Sequence, residues 1–189
     1  MLTAQESGYQ QVVKVPVFFE ELMEKLFQTT LAYLCGQVEA GVDVIQIFDS
    51  HAGLLEVVEF DRFVIKPTQR LVRELKKKYP TLFIISFPRG ASEPAYERYA
   101  RQTGVDCLSL DQNVSLDFAA QKVRHLVALQ GNLNPETLLK GGAVMEKEAK
   151  SILERLGPRH IFNLGHGVLP ETPPENIAAL VSFVHSFRA

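Results

Sequence analysis

Cysteine is scarce in this sequence, and its placement excludes two kinds of chemistry. Cys35 and Cys107 lie far apart, with no CxxC pair and no Cys/His cluster at zinc-binding spacing. Such usage fits a reducing compartment rather than a disulfide framework. A basic surplus is lacking too: 20 Lys and Arg stand against 22 Asp and Glu, a net charge of −2. No overall positive field exists to hold nucleic acid or an anionic membrane. Long apolar runs are absent. The first ten residues, MLTAQESGYQ, are polar and offer no signal-peptide core. The apolar-rich stretch 17–34 carries Glu20, Glu21, Glu24 and Lys25, which rules out a simple membrane span. It reads as an amphipathic helix with Phe19, Leu22, Met23 and Leu26 on one stripe. Nothing addresses the chain elsewhere, so cytoplasm is the expectation.

What remains is ordinary globular material: 189 residues, 46% hydrophobic and 22% charged, enough for one substantial core. After the first helix, short apolar runs alternate with amphipathic helices. The runs at 42–48, 82–87, 105–110, 126–130 and 160–164 are nearly continuous in Val, Ile, Leu or Phe. Strands buried on both faces of a helix-covered parallel sheet read this way. Boundary chemistry supports the helices between them. Pro67 opens one over 67–79, Ser92 caps one that ends at Gly104, and Asn134-Pro135 opens one closed by Gly141. A fourth, over 145–156, stops at Gly157-Pro158. Thr172 to Glu175 has capping-box spacing ahead of the last, over 173–187. Five strand–helix units mean α/β, either a doubly wound open sheet or part of a (β/α)8 barrel. No linker or shift of composition divides the chain, so 1–189 is expected to be one domain or one part of a domain.

In either closure the working surface lies beyond the carboxyl ends of the strands. The segments there are Asp49-Ser50-His51-Ala52-Gly53, Pro88-Arg89-Gly90, Asp111-Gln112-Asn113, Gly131-Asn132 and Gly165-His166-Gly167. All are polar or glycine-rich, while the runs that feed them are apolar. His166 between two glycines lets backbone approach a ligand and leaves the imidazole exposed. Ser50 and His51 are neighbours on an extended segment and point apart, so they do not form a nucleophile–base dyad. Asp49 suits a buried hydrogen bond better than a general base. Gly165-His166-Gly167 lacks the spacing of a dinucleotide or phosphate loop. Lys76-Lys77-Lys78 reads as a solvated helix end that favours the negative pole of the dipole.

Three segments then act together. They are GVDVIQIFDSHAG at 41–53, LQGNLNP at 129–135, and FNLGHG at 162–167 followed by Pro170-Glu171-Thr172-Pro173. In order and spacing they resemble the uroporphyrinogen decarboxylase family, from about residue 20 to the end of the chain. The resemblance implies the C-terminal part of a (β/α)8 barrel with its first strands missing, a single partial domain over 1–189. It implies a tetrapyrrole substrate, uroporphyrinogen, in a cleft at the strand ends, a homodimer when complete, and neither metal nor organic cofactor. By motif, Ser50 and His166 would each contact a substrate carboxylate, and on a parallel sheet both are expected to face one cleft. Arg89, outside the resemblance, is a cation suited to a carboxylate's two oxygens. The family's Arg clamp, catalytic Asp and Tyr belong to an N-terminal half without counterpart here. No catalytic residue is therefore assigned, and the chain by itself is expected not to turn over. The family's usual aromatic after the Asp is replaced in Asp111-Gln112. The rivals are a zinc methyltransferase of the superfamily, whose His and Cys ligands are not visible, and a non-catalytic remnant.

Overall fold

The computed structural model describes residues 16–188; the polar N-terminal decapeptide lies outside them. Two compact units divide after Asp106. The first runs α1 (Pro16–Glu39), β1 (Val44–Asp49), α2 (Val57–Phe60), a π turn (Asp61–Ile65), α3 (Lys66–Lys78), β2 (Phe83–Pro88) and α4 (Glu93–Gln102). β1 and β2 pair in parallel, Val44 opposite Phe83 through Asp49 opposite Pro88. Ile84 through Pro88 are all buried, as the continuous apolar run requires. Pro67 in the first turn of α3 needs no helical partner for its nitrogen, and Leu71, Val72 and Leu75 bury one face. Complete burial of Leu75 contributes about 1.5–3 kcal/mol.

Two sequence expectations change in this unit. The buried stripe of α1 is Phe19, Phe27 and Leu34, whereas Leu26 is 50% exposed. The stripe follows α3, since the Arg70 guanidinium stacks 3.8 Å over the Phe27 ring and pairs with Glu24. Nor is the lysine run uniformly solvated. Lys76 donates to Asp106 Oδ2 and to the Leu82 carbonyl, both at 2.6 Å, while Asp106 Oδ2 also accepts the Ile84 amide at 2.8 Å. One carboxylate thus fixes the end of α3 to the start of β2.

The second unit runs β3 (Cys107–Ser109), α5 (Leu116–Phe118), a π turn (Ala119–Val123), β4 (Ala128–Leu133), α6 (Pro135–Lys140), α7 (Gly142–Leu156), β5 (His160–Leu164) and α8 (Pro174–Ser186). β4 pairs in parallel with β3 and with β5, Leu129 facing His160 and Leu133 facing Leu164. Met145, Ala149, Ile152 and Leu156 bury the predicted face of α7. The capping expectations divide. The Asn134 side chain accepts the Glu136 amide at 2.9 Å. Ser92 stands at its N-cap without a side-chain bond. Pro173, not Thr172, is the N-cap of α8, and the Thr172 hydroxyl is buried with no partner among the described residues. The helical segment capped by Ser115, whose hydroxyl accepts the Phe118 amide, was not legible from spacing.

Every described pairing is parallel and helices separate the strands. The architecture is α/β, five strands of a (β/α)8 barrel, as expected. Among the described residues no helix is long and apolar enough to cross a membrane.

Candidate functional site

In the first unit, the loops after β1 and β2 are joined by backbone. The Arg89 amide donates to the Asp49 carbonyl and the Gly53 amide donates to the Arg89 carbonyl, each at 3.0 Å. A side chain at Gly53 would put its Cβ 2.1 Å from the Gly90 carbonyl oxygen, so close backbone approach requires glycine there. Between these fixed points lies Ser50, exposed, directly after β1. Asp49 accepts the His51 amide at 3.3 Å and the Ala52 amide, which holds the turn. Its carboxyl is withdrawn from water, and burial raises its pKa against those hydrogen bonds. The structure therefore brings Ser50 and the backbone of Arg89 onto one stitched rim.

Below that rim is a hydroxyl chain that sequence reasoning missed. Tyr99, 1% exposed, lies 2.6 Å from the Ser86 hydroxyl and donates to Thr68 Oγ1 at 3.2 Å. Burial pushes the Tyr99 pKa up to about 12, so the phenol stays protonated. The one available signal was Ser86, a polar residue inside the apolar run FIISFP.

The second unit builds its rim by the same means. β4 runs on to Leu133 through Gly131 and Asn132, two residues that sequence reading placed in a loop. Asn132, buried, donates its amide to the carbonyls of Asp111 at 3.1 Å and Val114 at 2.9 Å, tying down the loop after β3. Gly165 donates to the Leu133 carbonyl at 2.8 Å, and a Cβ on it would meet the Gln112 amide nitrogen at 2.3 Å. His166 follows, exposed. Its Nδ1 accepts the Gly167 amide at 2.6 Å, which assigns the proton of the neutral ring to Nε2. The ring is held to present one N–H donor. His160, at the start of β5, bonds the Gly131 carbonyl through Nε2, and burial lowers its pKa.

Neither cysteine adds to these rims: Cys35 is half-buried on α1 and Cys107 buried in β3. Among the described residues no three His, Cys, Asp or Glu side chains are grouped to hold a metal.

Parallel strands whose carboxyl ends carry fixed, polar, glycine-rich loops define a protein of the (β/α)8-barrel class with its working surface at that end. More narrowly, the chain belongs to the uroporphyrinogen decarboxylase (URO-D) family, whose model matches residues 4–187. It is 45% identical over 174 residues to the uroporphyrinogen decarboxylase of Rhodospirillum rubrum, covering 92% of this chain and 50% of that one. With the Paracoccus denitrificans enzyme it shares 42% identity over 168 residues, 88% of this chain and 48% of the relative. The chain thus spans about half the length of the curated relatives it matches. Among solved structures, a methyltransferase from Methanosarcina mazei superposes over 100% of this chain and 55% of its own, with a TM-score of 0.83 and 27% identity.

Proposed function

We propose that this chain is the C-terminal, carboxylate-holding part of a uroporphyrinogen decarboxylase, converting the four acetate side chains of uroporphyrinogen III to methyl groups and yielding coproporphyrinogen III. The observation that carries the reading is the 45% identity over 92% of the chain to an enzyme of that name. The structural neighbour named a methyltransferase stands at 27%, which favours the decarboxylase.

The chemistry is within reach of a site built only from side chains. A pyrrole protonated at the ring carbon next to the one that bears the acetate becomes an electron sink. The C–C bond to the carboxylate breaks, CO2 leaves, the electrons enter the ring, protonation of the resulting exocyclic methylene gives the methyl group, and loss of the proton first added to the ring carbon restores the pyrrole. The protein must bind, orient and supply protons. In this reading the Ser50 hydroxyl and the His166 Nε2–H each donate to a substrate carboxylate. The two rims keep those donors in place before the substrate arrives. Arg89 adds a cation beside Ser50. The Arg clamp, Asp and Tyr that the resemblance implies come from the half of the barrel that this chain does not match. The complete enzyme works in the cytoplasm as a homodimer and uses no cofactor.

The test belongs in a complete barrel, made by fusing the unmatched half of the Rhodospirillum rubrum enzyme to this chain. Loss of one hydrogen bond to a charged group costs about 1.5–3 kcal/mol. Ser50→Ala and His166→Ala should each therefore lower kcat/KM for uroporphyrinogen roughly 10- to 100-fold, with unchanged melting. Lys77→Ala should leave both unaltered. Wild-type kinetics in both site variants would defeat the assignment.

A further inference from the structure

Between α1 and α3 of the first unit lies a crevice of about 240 Å3. Its uncharged lining is Met23, Phe27, Phe63 and Pro67. Its charges come in two rows. Arg62, Lys66 and Arg70 recur every four residues from the π turn into α3, and Glu20 and Glu24 do so on α1. Residues four apart share one helix face, so three cations and two carboxylates border the same space.

Two of the cations are committed. Arg62 bonds Glu20, and Arg70 donates to both oxygens of Glu24, with Nη2 3.0 Å from Oε1. The bonds from Arg70 and Gln28 draw the Glu24 pKa down to about 2, so that pair stays charged at working pH. Each guanidinium also lies against a ring, Arg70 3.8 Å over Phe27 and Arg62 5.0 Å over Phe63. Lys66 stands between them in the row. It is exposed and has neither a hydrogen bond nor an ion pair among the described residues.

The lining therefore carries one positive charge in excess beside an apolar surface. A dianion such as phosphate would meet two carboxylates with one ammonium to offset them, and it has nothing to set against Met23 or Phe63. A monoanion with a flat apolar body answers both features. Its carboxylate pairs with Lys66, and its rings pack on Met23, Phe63 and the face of the Arg70 guanidinium turned away from Phe27. The volume lies below the range of about 300–1,000 Å3 that drug-sized ligands fill, which limits the body to one or two rings and excludes a tetrapyrrole. We infer that this crevice is a binding site for a small aromatic monocarboxylate, with Lys66 as its anchoring cation. None of the lining residues belongs to the rim that carries Ser50, so the site does not depend on the proposed decarboxylation.

The chain carries its own reporters. It has three methionines, of which Met23 lines the crevice, Met145 is fully buried in the second unit and Met1 lies outside the described residues. In the methyl-labelled 189-residue chain, titration with naphthoate at fixed ionic strength should move the Met23 methyl resonance saturably and leave Met145 in place. Met23→Leu assigns the signal. Lys66→Gln keeps an unbonded, exposed position polar and should weaken binding about fivefold, the upper range for an exposed ion pair, with melting unchanged. Lys66→Arg should restore the affinity. Naphthamide, with the same rings and no charge, should bind the parent about fivefold more weakly by the same reasoning. Inorganic phosphate should leave Met23 where it is. A Met23 resonance that does not respond, or one that moves together with Met145, would overturn the inference. So would an affinity indifferent to Lys66→Gln, or naphthamide binding as tightly as naphthoate.

Discussion

Asp49 ends β1 with its carboxyl drawn out of water, and burial there holds its pKa above the ordinary carboxylate value. The linkage has a definite sign. A carboxyl with a raised folded pKa contributes stability that is complete below its unfolded value, about 4, and is lost as pH rises through the folded value. Asp49→Asn keeps an oxygen for the His51 and Ala52 amides and removes the charge. The variant should melt higher than the parent at pH 7, and the advantage should vanish near pH 3. An advantage that grows toward acid would contradict the burial argument. Sequence alone gave Asp49 its hydrogen-bonding role, because a carboxylate beside a tight turn accepts backbone amides. It could not reveal Asn132 or Tyr99 as the struts of the two rims. Their partners, Asp111, Val114, Ser86 and Thr68, come from other elements, and no local spacing encodes such pairings.

Among the elements, legibility did not follow burial, for the strand at 160–164 holds no fully buried residue and β4 buries five. The run at 160–164 was read to its ends, while the one read at 126–130 lies at Ala128–Leu133. Gly131 and Asn132 look like a loop, yet a neighbouring strand and a buried amide keep them in the ladder. Helices with apolar periodicity were equally plain. The missed ones, Val57–Phe60 and Leu116–Phe118, are short and pass into π turns, which break the 3.6-residue repeat that betrays a helix. Thr172 shows the limit of motif spacing. Its distance from Glu175 fits a capping box, but Pro173 takes the N-cap and leaves the threonine hydroxyl buried without a partner among the described residues. Thr172→Val is therefore predicted to be neutral or stabilising by up to about 1 kcal/mol in chemical denaturation. A loss of about 1 kcal/mol, the usual cost of deleting a cap, would restore the motif reading.

For the molecule as a whole, the barrel class and the family were legible because three motifs sit on three different strand ends, and a glycine-rich strand end is tightly constrained. The count of strands was legible too, five where closure of a barrel takes eight. The structure adds that β1 and β5 each pair on one side alone among the described residues and that α1 and α8 carry exposed apolar residues. The account therefore makes the chain a contributor of substrate-holding loops rather than a complete catalyst, since interactions made only in the transition state set the rate and several of them are assigned to the other half. The most direct measurement is product formation from uroporphyrinogen by the purified 189-residue chain, alone and after assembly with the unmatched half of the Rhodospirillum rubrum enzyme. The account predicts no coproporphyrinogen from the chain alone and turnover from the assembled pair. Robust turnover by the chain alone, or a well-formed pair that makes no coproporphyrinogen, would contradict it.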